Sequence, residues 1–173
     1  MFKKAHKLRL WLIVFGIAVL IVSIDQLTKN WALQALNIGE PVKIWGVALQ
    51  WVLVKNPGAA FSFLEEATWV FTIISSAVAI FVIFYTRYLT MVRWAVVSGL
   101  VLAGALGNLI DRFFREPGFG VGHVIDFIFT PWIVPAVYNV ADIAIVTGMG
   151  LFLLFTLLPD KKQHTDELVD PHA

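Results

Sequence analysis

The sequence predicts a membrane protein of the all-α class, with four transmembrane helices, a small β-sheet outside the bilayer and a loop at the membrane interface. Hydrophobic residues make up 59% of the 173 residues and charged residues 14%, and the mean hydropathy is +0.80. This composition lies far from that of soluble domains. Four apolar stretches are long enough to cross the hydrocarbon core, which takes about 20 helical residues. The predicted spans are residues 10–29, 67–86, 94–111 and 139–158.

The first span follows a basic N-terminus without the cleavage site of a signal peptide. A run of uncharged residues, 10–24, is followed by Asp25 and Lys29 where a cleavage site would need small residues. We therefore expect an uncleaved helix. The four-residue spacing puts Asp25 and Lys29 on the same face, near the outer end of the helix.

The first extracytoplasmic segment, residues 37–64, has the signals of short strands. Its stretch 42–54 is rich in β-branched residues and Trp, which favour strands. A turn at Pro57-Gly58 then precedes the second span.

The second extracytoplasmic segment, residues 112–137, separates the third and fourth spans. Pro131 and Pro135 argue against a continuous helix there, so we expect a loop at the interface that carries Asp126. The fourth span completes a single domain, residues 1–159, and a polar cytoplasmic tail follows at 160–173.

The distribution of Lys and Arg predicts that both termini are cytoplasmic. Eight of these residues flank the spans on the side of the termini and five lie on the other side. The richer side is normally the cytoplasmic one. The polar ends of the spans then lie at the outer face of the membrane.

Polar residues from all four spans fall at one depth, which favours a functional site. Ionisable groups at membrane depth are costly and usually face a protein interior or a cavity. The polar residues at any one helix end could be merely structural, because helix ends in membrane proteins are usually polar. The coincidence of four such clusters at one depth favours a site. The members are Asp25, Lys29, Asn56, Gly58, Asn108, Asp111, Arg112, Asn139 and Asp142.

Asp126 and Asp142 are the candidate catalytic pair, because the proline-rich loop between them can fold back. Two carboxyl groups a few ångströms apart share one proton, so one acts as a base on water while the other protonates the carbonyl. A Ser–Lys pair fits less well, since Ser23 and Lys29 are six residues apart on a helix. The chain has no cysteine and four scattered histidines, so we expect no metal and no cofactor, and a net charge of +1 with dispersed Lys and Arg gives no reason to expect nucleic acid.

Two other classes of function remain open from the residues alone. A small proton-coupled carrier would use Asp25, Asp111 and Asp142 as a relay, although a relay should place acids at several depths. A non-catalytic assembly factor would pack partner helices against Gly104 and Gly107, but it would not need both members of the carboxylate pair.

Five ordered blocks of sequence resemble lipoprotein signal peptidase (signal peptidase II), a family of bacterial four-span aspartic peptidases. Tyr138 stands where that family commonly has Phe. The blocks are Asp25-x-x-Thr28-Lys29, Asn56-x-Gly58-Ala59-Ala60-Phe61, Gly104-x-x-Gly107-Asn108-x-x-Asp111-Arg112, Val124-x-Asp126-Phe127 and Asn139-x-Ala141-Asp142.

The resemblance implies cleavage of diacylglyceryl-modified prolipoproteins immediately before the lipidated cysteine, at the outer face of the bacterial inner membrane. It implies that the strands near 42–54 form a β-cradle, that residues 117–122 form a mobile flap, and that the chain acts as a monomer among membrane lipids. By the same resemblance Asp126 and Asp142 are catalytic; Asn56, Gly58, Asn108, Arg112 and Asn139 support the site or contact substrate; and Asp25, Lys29 and Asp111 are structural residues near it.

Overall fold

The structure, a computed structural model, describes residues 2–58 and 68–158. Four helices in this part of the chain are long and apolar enough to cross a membrane, and a small antiparallel sheet accompanies them, as the sequence predicted. The helices are α1 (Phe2–Ala35), α2 (Thr68–Tyr85), α3 (Val92–Phe114) and α4 (Val140–Leu157), and the strands are β1 (Val42–Trp45), β2 (Leu49–Asn56), β3 (Val124–Phe129) and β4 (Val137–Tyr138).

Helix α3 is the centre of the bundle and packs against the other three helices. Its small residues allow this close approach, as is usual where helices pack in membranes. A Cβ atom on Gly104 would collide with Ile145 and with the carbonyl oxygen of Ala141, both on α4. The buried apolar core consists of Leu10, Val14, Ala18, Ala79, Val82, Leu89, Ala95, Leu102, Ala103, Ala105 and Leu109.

Helix α1 extends beyond the predicted span at both ends, because helical hydrogen bonding does not stop where the hydrocarbon ends. Its outer extension is covered by the sheet, whose strands follow the order β1-β2-β3-β4 with antiparallel pairing throughout. The contact is a second apolar cluster, formed by Ala32, Leu36, Leu53, Ile125 and Phe127.

The expectation that Asp126 lies in a loop was wrong. Asp126 lies in β3, where it pairs with Val54 of β2. The β-branched and aromatic residues of β3 favour a strand, and the prolines that argued against regular structure fall in the connection between β3 and β4. In that connection no strand needs the N–H groups that Pro131 and Pro135 lack.

The segment expected to act as a flap, residues 117–122, is held against two helices. The backbone N–H groups of Gly120 and Gly122 both donate to the carbonyl oxygen of Arg112, and the Thr72 hydroxyl donates to the carbonyl oxygen of Gly120. Its movement stays a prediction. The expected start of the second span, the Ala59-Ala60-Phe61 part of the second block and the cytoplasmic tail lie outside the described residues.

Candidate active site

Lys29 is the centre of a buried charged cluster between α1 and α3. Its ammonium nitrogen lies 2.8 Å from Asp25 Oδ2 and 2.7 Å from Asp111 Oδ2, and all three side chains have no exposed surface. It also donates to Asn108 Oδ1 at 3.1 Å. A lysine has three donors and no acceptor, so this geometry satisfies the whole ammonium group and neutralises part of the acidic charge.

Asp25 joins the first helix to the fourth. Its Oδ1 accepts a hydrogen bond from the backbone N–H of Ala141, in the first turn of α4, at 2.9 Å. The first N–H groups of a helix have no partner within the helix, so a carboxylate there stabilises the helix start. Gly107 leaves the space for this contact, because a Cβ on it would lie 2.8 Å from Asp25 Oδ2.

Asn108 connects the charged cluster to Asp142. Its Oδ1 accepts from Lys29, and its Nδ2 donates to Asp142 Oδ1 at 2.9 Å. The bond to the ammonium group determines which end of the amide is the oxygen. The nitrogen must then face Asp142.

Asn139 contacts both acids of the candidate pair. As the N-cap residue of α4, it accepts from the backbone N–H of Asp142 at 3.0 Å, while Asp142 Oδ2 accepts from the backbone N–H of Asn139 at 3.1 Å. This reciprocal arrangement is a capping box. The other end of the amide, Nδ2, donates to Asp126 Oδ1 at 2.6 Å.

Asp126 is buried, with 2% of its surface exposed. Asn56 Nδ2 donates to its second oxygen at 2.8 Å. Burial, followed by the negative charge of Asp142, raises the pKa of Asp126 to about 7, although the amide hydrogen bonds from Asn56 and Asn139 act in the opposite direction. Asp126 is therefore mostly protonated below neutral pH, where an ordinary aspartate would be ionised.

Arg112 and Gly58 lie beside the pair and organise the chain around Asn56. Arg112 donates to the carbonyl oxygens of Pro57 and Gly122, at 3.0 and 3.2 Å. Gly58 has a φ of 101°, which favours glycine, and a Cβ there would lie 2.8 Å from an Arg112 nitrogen. Its N–H donates to Asn56 Oδ1 at 2.7 Å, so the amide nitrogen of Asn56 faces Asp126.

The structure brings the predicted site residues together, and all of them except Arg112, which donates to the neighbouring backbone, belong to one hydrogen-bonded network. Each oxygen of the two candidate acids already accepts one N–H, which leaves further lone pairs for a water or a shared proton. Within residues 2–58 and 68–158, no three His, Asp or Glu side chains are grouped as they would be in a metal site. The arrangement can act as an acid–base pair.

Sequence reasoning missed Gln26 and Arg115 as members of the network. Gln26 donates to both aspartates of the charged cluster and to the carbonyl oxygen of Gly107. Arg115 lies 2.5 Å from Asp111 Oδ1 and donates to Gln26. The four-residue spacing of Asp111 and Arg115 was the available signal, whereas nothing in the sequence marked Gln26.

The chain is similar to known proteins over most of its length. The family model described as "Signal peptidase (SPase) II" matches residues 17–158. A lipoprotein signal peptidase of Leifsonia xyli is 50% identical over 141 residues, which cover 82% of this chain and 65% of that protein. One of Mycobacterium bovis is 42% identical over 144 residues, which cover 83% of this chain and 70% of that protein.

The fold also matches solved structures of a bacterial membrane enzyme, determined by the in meso method. One of them, at 1.9 Å resolution, has a TM-score of 0.75 and 28% sequence identity, covering 85% of this chain and 94% of that one. Another, at 2.3 Å, has a TM-score of 0.74 and the same identity, covering 91% and 94%.

Proposed function

The chain belongs to the signal peptidase II family, and from that premise we propose that it is an aspartic endopeptidase of prolipoproteins. It cleaves the signal peptide from a diacylglyceryl-modified prolipoprotein immediately before the lipidated cysteine. Asp126 and Asp142 are the catalytic residues. Asn56, Gly58, Asn108, Arg112 and Asn139 support them or contact the substrate.

The observation that carries the proposal is the position of Asn139 between the two acids. One end of its amide caps the helix that carries Asp142, and the other end donates to Asp126. A single side chain therefore links the orientations of both carboxyl groups. This is the arrangement that a proton-sharing pair needs, since the roles of acid and base depend on mutual geometry.

The mechanism assigns the shared proton to Asp126. A raised pKa of about 7 keeps this buried carboxyl protonated, so it can donate to the carbonyl oxygen of the scissile peptide. Asp142 accepts a proton from water as the water oxygen attacks the carbonyl carbon. The resulting diol collapses as Asp142 returns the proton to the leaving nitrogen and Asp126 recovers its own.

Location follows from the membrane character of the chain and its charge distribution. The protein lies in the bacterial inner membrane with both termini in the cytoplasm, and its aspartates lie at the outer face. The excess of Lys and Arg on the side of the termini supports this orientation. The site then lies at the outer end of the substrate's own membrane helix.

The proposal is tested by cleavage of a purified diacylglyceryl prolipoprotein in liposomes without added metal. Wild type is expected to release the signal peptide, and Asp126→Asn and Asp142→Asn are each expected to lose a factor of about 10² to 10⁴ or more in rate. A chelating agent is expected to leave the wild-type rate unchanged, because the two carboxyl groups supply both proton transfers.

Glu40→Gln is the control, since Glu40 is exposed between α1 and β1, on the same side of the membrane as the site. Thermal unfolding in detergent establishes that both site variants are folded. Retained cleavage by either folded variant would remove that residue from the mechanism. A folded wild type that does not cleave would favour the proton-coupled carrier instead.

A further inference from the structure

One end of the sheet carries an exposed apolar surface that the proposed active site does not use. We call it the apolar tip, and it consists of residues 44–47, at the end of β1 and the start of the β1–β2 turn, and residues 132–134 in the β3–β4 connection. Trp45, Val47 and Trp132 are 77%, 69% and 71% exposed. Water-exposed surfaces rarely concentrate large apolar side chains in this way, so the tip needs a partner.

The two parts of the tip are joined to each other. The indole N–H of Trp132 donates to the carbonyl oxygen of Ala48 at 2.8 Å. The hydroxyl groups of Thr130 and Tyr138 lie 3.0 Å apart and close the base of the β3–β4 connection. The tip is therefore one hydrogen-bonded unit.

The depth of the sheet follows from its contacts with the helices. Near one end of β3, the N–H of Ile125 donates to Asp111. Asp111 lies 2.7 Å from Lys29 and belongs to the polar residues that share one depth in the four spans. Near the other end, Ile128 pairs with Tyr138, the residue before the N-cap of α4. Both ends lie at the depth where the helices enter or leave the membrane, so β3 runs along the bilayer surface.

The length of helix α4 agrees with this depth. Its 18 residues span roughly 27 Å at the helical rise of 1.5 Å, close to the thickness of the hydrocarbon core. Trp31, two residues beyond Lys29 on α1, packs against Trp51 of β2 with ring centroids 4.5 Å apart. The sheet therefore leaves the helices at the hydrocarbon edge, which brings its exposed tip to the level of the lipid interface.

We propose that the apolar tip inserts into the lipid interface and anchors the sheet to the membrane surface. Trp side chains favour this zone because they have an apolar body and a polar N–H. The chemistry of the segments agrees, since Lys43 is the only charged residue in 41–53 and 127–138, and a positive charge suits anionic headgroups. The anchor holds β3, and with it Asp126, level with the first turn of α4, which carries Asp142. This inference needs only the membrane spans and holds whatever reaction the site catalyses.

The absence of cysteine from the sequence allows a direct test. Val47→Cys and Ile133→Cys are labelled with an environment-sensitive fluorophore and reconstituted into vesicles of phosphatidylethanolamine and phosphatidylglycerol. Glu116→Cys is the matched control, because this side chain lies at the same end of the molecule and is 91% exposed. All three positions are exposed, so the substitutions should leave the fold intact.

Both tip labels are expected to emit at shorter wavelength than the control and to be quenched about threefold less by aqueous iodide. Lipids with a nitroxide near the headgroup should quench the tip labels and spare the control. Iodide quenching equal to that of the control would overturn the proposal. So would shielding from iodide without quenching by lipid, and energy transfer between labelled chains would then identify a second copy as the partner.

Discussion

At the scale of single residues, the site depends on amide side chains that join acids to one another. An amide both donates and accepts, so a bond at one end determines what the other end presents. Asn56, Asn108 and Asn139 each have the oxygen bound to an N–H donor and the nitrogen bound to Asp126 or Asp142. The bond at each amide oxygen therefore ensures that the amide nitrogen, a donor, faces the acid.

Asn56→Ala is expected to shift the alkaline limb of the pH–rate profile to higher pH. The Asn56 amide stabilises the ionised form of Asp126, so its loss raises a pKa that already stands at about 7. Asp126 acts while protonated, which it is below its pKa, so activity then persists to higher pH. The measurement is kcat/KM against pH for both proteins.

The control for this shift is Asn37→Ala, which removes an exposed amide that donates to Glu40 and should leave the profile unchanged. The wild-type profile should be bell-shaped, because the pair must hold one proton and not two or none. A flat wild-type profile would contradict the shared proton.

Asp25→Asn is expected to reduce stability more than chemistry. The substitution removes one charge from a fully buried ion pair and should lower the free energy of unfolding by about 3 kcal/mol. This is the lower end of the usual range, because Lys29 still has Asp111 as an ionic partner. The midpoint of thermal unfolding in detergent measures the loss, and kcat/KM of the folded fraction should stay near wild type. The exposed Glu40→Gln is the control, and a stable but inactive Asp25→Asn protein would contradict the assignment.

At the scale of elements, the close packing of α3 holds its polar end against its neighbours. Gly104 lies against Ala141, and Gly107 lies against Asp25. Helix association in lipid depends on van der Waals packing of this kind, because lipid tails are as apolar as the side chains. The small residues of α3 therefore determine how closely the site residues of α1, α3 and α4 can meet.

Gly104→Ala is expected to lower the free energy of unfolding by about 1 to 3 kcal/mol, because its methyl group would meet Ile145 and a backbone oxygen that cannot move away alone. Gly16→Ala is the matched control, since nothing lies within 4 Å of a Cβ there. That change should be neutral or stabilise the helix by up to about 1 kcal/mol. Equal unfolding midpoints for the two variants would contradict the role of packing at Gly104.

At the scale of the whole molecule, the site is assembled from distant parts of the chain at the edge of the bilayer. Asp126 comes from the sheet and accepts from Asn56 of β2, whereas Asp142 comes from the start of α4 and accepts from Asn108 of α3. Asn139 donates to both acids. On the proposed function, a site at this depth receives a substrate that shares the bilayer with the enzyme.

A water-soluble peptide that contains the cleavage sequence but lacks the membrane helix and the diacylglyceryl group is expected to be a poor substrate. Its kcat/KM in vesicles should be at least about 10²-fold below that of the full prolipoprotein, because positioning by the membrane is lost. A prolipoprotein of the same sequence in the same vesicles is the control. Equal kcat/KM values for the two substrates would contradict this prediction, because they would mean that the site accepts a substrate directly from water.

The sequence by itself determined the four spans and the common depth of their polar residues. Depth depends on a count of residues multiplied by a constant rise, so it can be read without knowing any neighbour. Spacing within one helix is equally local, and Asp25 and Lys29, which the spacing placed on one face, lie 2.8 Å apart. The order of the polar blocks was sufficient to indicate the family.

Only the tertiary structure decided which side chains at that depth meet. The rotation of α1 and α3 brings Gln26 and Arg115 into the charged cluster, and the pairing of β3 with β2 places Asp126 beside Asn56. Lateral neighbours depend on helix rotation and strand register, and neither is encoded in residue counts. For the same reason, hydropathy marked the tip residues as apolar, but only the fold placed them together at the level of the membrane surface.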